Sequence, residues 1–171
     1  DVVNVGYHFQ YMFNALQLNN GDGTFSEIAQ LAGIAKTDWS WAPLFADFDN
    51  DGNKDLFITN GYRRDSRDND YNLKVESGQS NATNFKEALD LMPATKIENY
   101  IFQNNGDLTF TKKISEWNMD QPVNSNGASY ADFDNDGDLD LVVNNIDETS
   151  FVMRNDLTSS NHYLRVRLAG N

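Results

Sequence analysis

A mainly β fold, assembled from repeats of short antiparallel strands, is predicted by three observations in this 171-residue sequence. The chain spells DFDNDG twice, at 47–52 and 132–137. It also spells NALQLNNGDGTF at 14–25 and NYIFQNNGDLTF at 99–110, and both pairs are displaced by 85 residues. One offset shared by two separated motifs marks a duplicated unit. The motifs are flanked by short apolar and β-branched runs bounded by Asn, Asp and Gly, the pattern of strands and tight turns.

The elements follow in order. ALQL and YIFQ each run into Asn-Asn-Gly-Asp and then Thr-Phe, which predicts a hairpin around a Gly-containing turn. APLFAD (42–47) and GASYAD (127–132) are short strands leading into the acidic loops, and DLFITN (55–60) and DLVVNN (140–145) are the strands that leave them. A third copy of the hairpin's first strand begins at FVMRND, 151–156. About four short strands per unit is the make-up of a propeller blade. The expected fold is therefore a fragment of a β-propeller, about two to three blades over residues 1–156, with one short helical insertion.

That insertion is 62–98. The 85-residue spacing exceeds a blade of about 40–50 residues. The first half of 62–98 is charged and polar and reads as a surface loop. The second half places Phe85, Ala88, Leu89 and Met92 at helical spacing, with Thr83 as N-cap and Pro93 after the end. The mixed-charge run RRDSRD (63–68) reads as a solvated loop with local ion pairs worth little. NAT at 81–83 is a glycosylation sequon only if the source glycosylates.

Both acidic loops fit D-x-D-x-D-G-x-x-D. Asp47, Asp49 and Asp51 in the first loop, and Asp132, Asp134 and Asp136 in the second, occupy positions 1, 3 and 5. Gly52 and Gly137 permit the sharp turn, the carbonyls of Asn53 and Asp138 point inward from position 7, and Asp55 and Asp140 complete an oxygen cage. The Asp138 side chain is expected in solvent. Hard oxygens in such number suit Ca2+ better than Mg2+, which keeps more of its waters, so two Ca2+ sites are expected. Neither Cys nor a neighbouring His offers a softer ligand. An EF-hand is excluded, because position 12 is Ile58 or Val143 rather than Glu and the flanks read as strands. The other reading is an Asp-rich turn whose side chains cap local amides.

Bulk composition narrows the function. The chain carries 26 acidic against 13 basic residues, a net charge of −13, which disfavours nucleic acid as a partner. Nine of those acidic residues sit in the two loops. Cysteine is absent, which removes disulfides and thiolate chemistry. No run approaches the ~18 apolar residues of a membrane span. The chain opens DVVNVG without Met and reads as a piece of a longer protein, two loop-bearing units being too few to close a ring.

WAPLFADFDNDG and NGASYADFDNDGDLDLVVNN resemble FG-GAP/VCBS repeats, the units of integrin-α-like propellers; Ala42 stands where the second copy has Gly127. NHYLRVRLAGN (161–171) resembles the first strand of an ASPIC/UnbV module, so 157–171 is expected to begin one. The resemblance implies a parent ring of about seven blades, Ca2+ held between blade strands, and an exported protein, extracellular, periplasmic or at the cell surface. It also implies a scaffold or recognition surface rather than a catalyst. An RNA-binding role associated with the UnbV name is opposed by the charge.

Three functions follow. The first is a Ca2+-stabilised module that binds a protein or glycan ligand and is not an enzyme. The second is part of a polysaccharide-acting enzyme, since paired carboxylates equip glycosidases; but the obvious Asp residues are engaged in the loops, and His8 and His162 lack recognisable partners. The third is a Ca2+-dependent carbohydrate-binding adhesin, with Trp39, Trp41 and Trp117 as a stacking platform, although such aromatics more often pack blades.

Overall fold

In the computed structural model, residues 6, 11–66, 68–78, 83–157, 161 and 163–170 are described. His8, His162 and most of the NAT sequon lie outside them. Among the described residues, nine strands form three antiparallel groups. β1 (Gln17–Asn19) pairs with β2 (Phe25–Glu27). β3 (Ser40–Ala46), β4 (Asp55–Asn60), β5 (Tyr100–Asn104) and β6 (Phe110–Lys112) form a four-stranded meander. β7 (Ser125–Ala131), β8 (Asp140–Asn145) and β9 (Phe151–Met153) form a three-stranded one. This is a partial β-propeller: one complete blade with a piece of blade on either side.

The blade begins one hairpin later than the repeat as it is spelled in the sequence. The hairpin β5–β6 closes the sheet opened by β3 and β4, because β4 pairs β5 through Ile58↔Tyr100. The insertion therefore lies inside a blade, between its second and third strands.

Blades stack face to face, and β4 shows the consequence. All six of its residues are buried, since β4 is covered on both faces. Leu56 and Ile58 pack with Phe102, Ala29, Ala32 and Ile34 on one face. Phe57, fully buried, packs with Ile101, Leu141 and Val143 on the other. The first core includes a four-residue helix, α1 (Ala29–Ala32), which the strand pattern did not suggest; Gly33 ends it in the left-handed region at φ 80°.

The insertion differs from expectation. It holds two helices, α2 (Asn69–Glu76) and α3 (Phe85–Asp90), and neither buries a residue. The segment expected to be loop becomes α2 because Asp68 caps it, accepting from Tyr71 N at 2.7 Å. In α3 the cap is Asn84 rather than Thr83: Asn84 Oδ1 accepts from Glu87 N at 3.0 Å, while Thr83 donates twice to the Glu87 carboxylate. The Tyr71 hydroxyl ties the helices by donating to Ala88 O at 2.6 Å. The ion pairs here are not all local. Arg63 meets Asp147 at 2.6 Å and Lys96 meets Glu148, so the base of the insertion reaches the next sheet.

At that end of the sheets a buried polar chain joins the blades. Asn60 Nδ2 donates to Thr37 O (2.8 Å), Asn60 N to Asn99 Oδ1 (2.9 Å), Asn99 Nδ2 to Ser125 Oγ (3.0 Å) and Ser125 Oγ to Asn145 Oδ1 (2.7 Å). The Asn99–Ser125 bond crosses from one sheet to the next, while the others tie strands within each sheet or to the segment before β3, so the chain of bonds helps to fix the stacking register. The segment expected to be a first strand at 161–171 forms none among its described residues.

Candidate metal centre

The acidic loops sit at the opposite end of the sheets, where β3 turns into β4 and β7 into β8. Their conformation follows from their letters. Asn50 and Asn135 take left-handed φ values of 55° and 67°, a region Asn tolerates, and Gly52 and Gly137 follow at 93° and 99°. The turn then draws the carboxylates toward one another.

In the first loop one oxygen each from Asp47, Asp49 and Asp55 lies within 4.8 Å of the others. In the second, Asp132, Asp134 and Asp136 do the same. Asp51 lies outside that triplet and accepts from Asn53 N (2.7 Å) and Asn53 Nδ2 (3.1 Å). Asp47 accepts from Asp51 N and Gly52 N, both at 3.0 Å, so capping of local amides coexists with convergence.

Asp55 and Asp140 have a second task that the spacing did not reveal. Asp55 Oδ2 accepts from Phe48 N and Oδ1 from Asn104 N, both at 2.9 Å. Asp140 accepts from Phe133 N and Asn155 N, both at 2.8 Å. Each carboxylate thus staples the start of its loop to the end of the third strand, with lone pairs to spare for a cation. Asn104 and Asn155 complete the joint: Asn104 Nδ2 donates to Lys54 O, and Asn155 Nδ2 to Phe48 O of the other loop. Gln103 also belongs to the site, donating to Asp49 Oδ2 at 2.6 Å. The N-N-G-D spelling was the sequence signal for Asn104, and Asn155 was signalled only by its place in FVMRND.

Asp138 corrects an expectation. Its side chain is buried rather than solvated, with Oδ2 accepting from Leu157 N at 3.0 Å. Its Oδ1, and Oδ1 of Asp132, are buried without any partner. Orphaned carboxylate oxygens are costly unless a cation meets them. Burial raises the Asp49 carboxyl above its ordinary range, pushes Asp55 up to about 6, and pushes Asp138 up to about 6 with help from its contact with Asp136. These loops are short of positive charge, and their all-oxygen donor set fits a hard divalent ion.

A pH dependence follows. In EDTA the folded chain holds more protons than the unfolded chain between about 4 and about 6, because Asp55 and Asp138 titrate late. Stability should therefore fall as pH rises through that window and level off above it. Asp22, Asp107 and Glu87, whose hydrogen bonds to threonines lower them, act in the opposite sense at lower pH. Denaturant melts across this range, with Ca2+ and with EDTA, check the sign; protons competing with Ca2+ should reverse the trend.

No relative among curated proteins matches the chain. A family model described as FG-GAP-like repeat matches residues 1–58 and 88–143. The matched stretches contain both acidic loops and most of the strands, and the interval between them falls on the helical insertion. The match follows the repeat and covers more than half of the sequence, and the chain belongs to the FG-GAP-like repeat family.

Proposed function

We propose that this chain is a Ca2+-binding β-propeller region that serves as a binding or scaffolding module, and not as an enzyme, in an exported protein. Extracellular, periplasmic and cell-surface settings all fit that reading, and 157–171 would lead into an ASPIC/UnbV-like module. No helix among the described residues is long and apolar enough to cross a membrane. The observation that carries the reading is the convergence of three carboxylates in each loop, together with the orphaned oxygens of Asp132 and Asp138.

Asp47, Asp49 and Asp55 would hold one ion, and Asp132, Asp134 and Asp136 the other, with Asp138 and Asp140 at the rim. A bound Ca2+ supplies the positive charge that these carboxylates lack. The chain's own residues do the rest. Asp55 and Asp140 lock each loop to its third strand, and Asn155 locks one loop to the other. Cation binding to the folded loops alone stabilises the fold by mass action, about 2.7 kcal/mol per site at a hundredfold excess over Kd. With two sites the melting temperature should be about 10–20 °C higher in Ca2+ than in EDTA. The double variant Asp49→Asn/Asp134→Asn should lose most of that difference. Identical melting curves in the two buffers would sink the reading.

Recognition is assigned to the end of the blade opposite the loops. There Trp39 and Trp41 stand edge to face at 6.2 Å, Tyr62 meets Trp39 at 5.6 Å, and the insertion rises beside them. Both tryptophans are partly exposed, and Trp41 is pinned by donating to Gly61 O at 2.6 Å. A fixed, exposed aromatic cluster favours a glycan ligand as a second reading. Trp117 packs instead against the core that contains Phe57 and Leu141. Glycan binding lost on Trp39→Ala with the fold intact would support this face.

A further inference from the structure

The two loops share DFDNDG, but their surroundings differ. The residue before the Asn that meets the staple carboxylate is Gln103 in the complete blade and Arg154 in the next. Gln103 donates to Asp49, whereas Arg154 pairs with Asp156 at 2.7 Å and adds its charge to the second loop. Asp136 is held below its ordinary range first by hydrogen bonding with Asp138 and, more weakly, by Arg154. The second loop also carries an extra carboxylate, Asp138 standing where the first has Asn53.

A further cation arrives from the segment after β9. The Arg165 guanidinium donates to Asp132 Oδ2 at 2.8 Å, and the Asp132 side chain is only 21% exposed. Two residues earlier, the Tyr163 ring lies on Gly137. A Cβ at 137 would fall 1.8 Å from a ring carbon, so only glycine admits the ring. Gly52, in the same place in the first loop, has nothing within 4 Å. The Asp47 carboxylate, which corresponds to Asp132, accepts from the backbone amides of Asp51 and Gly52.

We propose that residues 163–165 form a latch on the second loop: Arg165 holds Asp132 as a tethered counter-cation, and a divalent ion competes with it for that carboxylate. Among the described residues the first loop has no such competitor, so the two loops fill at different Ca2+ concentrations. Filling the second frees Tyr163 from Gly137 and releases the chain beyond it. Ion occupancy is thereby coupled to the position of whatever follows residue 163. This rests on the calcium reading of the loops, and its test separates the two.

The test is NMR of the isotope-labelled full chain, following Gly52 and Gly137 as CaCl2 is added from an ion-free start. Before any Ca2+, the Tyr163 ring should displace the Gly137 resonances, and Tyr163→Ala should abolish that displacement. Gly52 should then respond at lower Ca2+ than Gly137. Arg165→Gln, an exposed change, should lower the Gly137 midpoint roughly five- to tenfold and leave the Gly52 midpoint in place. A Gly137 resonance insensitive to Tyr163→Ala, joint titration of both glycines, or an unmoved Gly137 midpoint in Arg165→Gln overturns the latch while the calcium reading stands. No response of either glycine to Ca2+ overturns the calcium reading and the latch with it.

Discussion

Gly61→Ala is expected to destabilise the protein by about 3–5 kcal/mol and to lower its melting temperature by about 10 °C or more. Gly61 follows β4 at the seam between blades. Its φ is 115°, and a Cβ there would lie 2.9 Å from Asn124 Cα, Asn124 Oδ1 and Val123 O. Two of those three atoms are backbone, which cannot swing aside as the end of a side chain can. The positive φ alone accounts for about 1–3 kcal/mol, and the overlap adds a comparable amount. Gly21 supplies the control, since it has φ 81° and a Cβ there would meet nothing within 4 Å. Gly21→Ala should show the backbone cost without the overlap. Thermal melts of the two variants separate the terms. Equal losses would mean that the seam is loose enough to absorb a methyl group.

The second large effect is expected at Asp55. With Ca2+ present, Asp55→Ala should cost about 2–5 kcal/mol before any lost ion contact is added, because it orphans the Phe48 and Asn104 amides. In EDTA at neutral pH the loss should shrink. There the Asp55 carboxylate is itself unfavourable, because burial pushes its pKa up to about 6. Asp49→Asn should behave differently, with a loss seen in Ca2+ and little effect in EDTA, since Asp49 makes no comparable staple. Chemical denaturation of both variants in both buffers gives the four values. An Asp55→Ala loss that is larger in EDTA than in Ca2+ would contradict this electrostatic account.

The strand order, the duplicated unit and the loop glycines were legible because each rests on local physics. Alternating or continuous apolar runs make strands, and only Gly or Asn sits comfortably at the left-handed turn positions. The phase of the blade was not legible. The hairpin YIFQNNGDLTF reads the same whichever sheet it joins, and pairing with β4 across a 37-residue insertion is a tertiary choice. Helix α2 was hidden for a related reason. It buries nothing, so its sequence carries no apolar stripe, and it depends on the Asp68 cap and the Tyr71 contact.

The candidate centre was legible as a set of letters but not as a division of labour. Position 9 reads as one more ligand, yet Asp55 and Asp140 spend both oxygens on backbone amides. Asp138 reads as a solvent-facing side chain, yet the Leu157 amide draws it inward. Arg165 falls in NHYLRVRLAGN, a stretch with no link to the acidic loops in the sequence. Its approach to Asp132 depends on where the chain runs after β9, which no spacing rule encodes.

The central claim is that each acidic loop is a divalent cation site that holds its blade. Isothermal titration of the ion-free protein with CaCl2 tests it most directly. Two ions should bind per chain, one should remain in Asp47→Asn/Asp49→Asn, and none should remain when Asp132→Asn/Asp134→Asn is added. No binding heat in the wild-type protein, or undiminished stoichiometry in the combined variant, would contradict it.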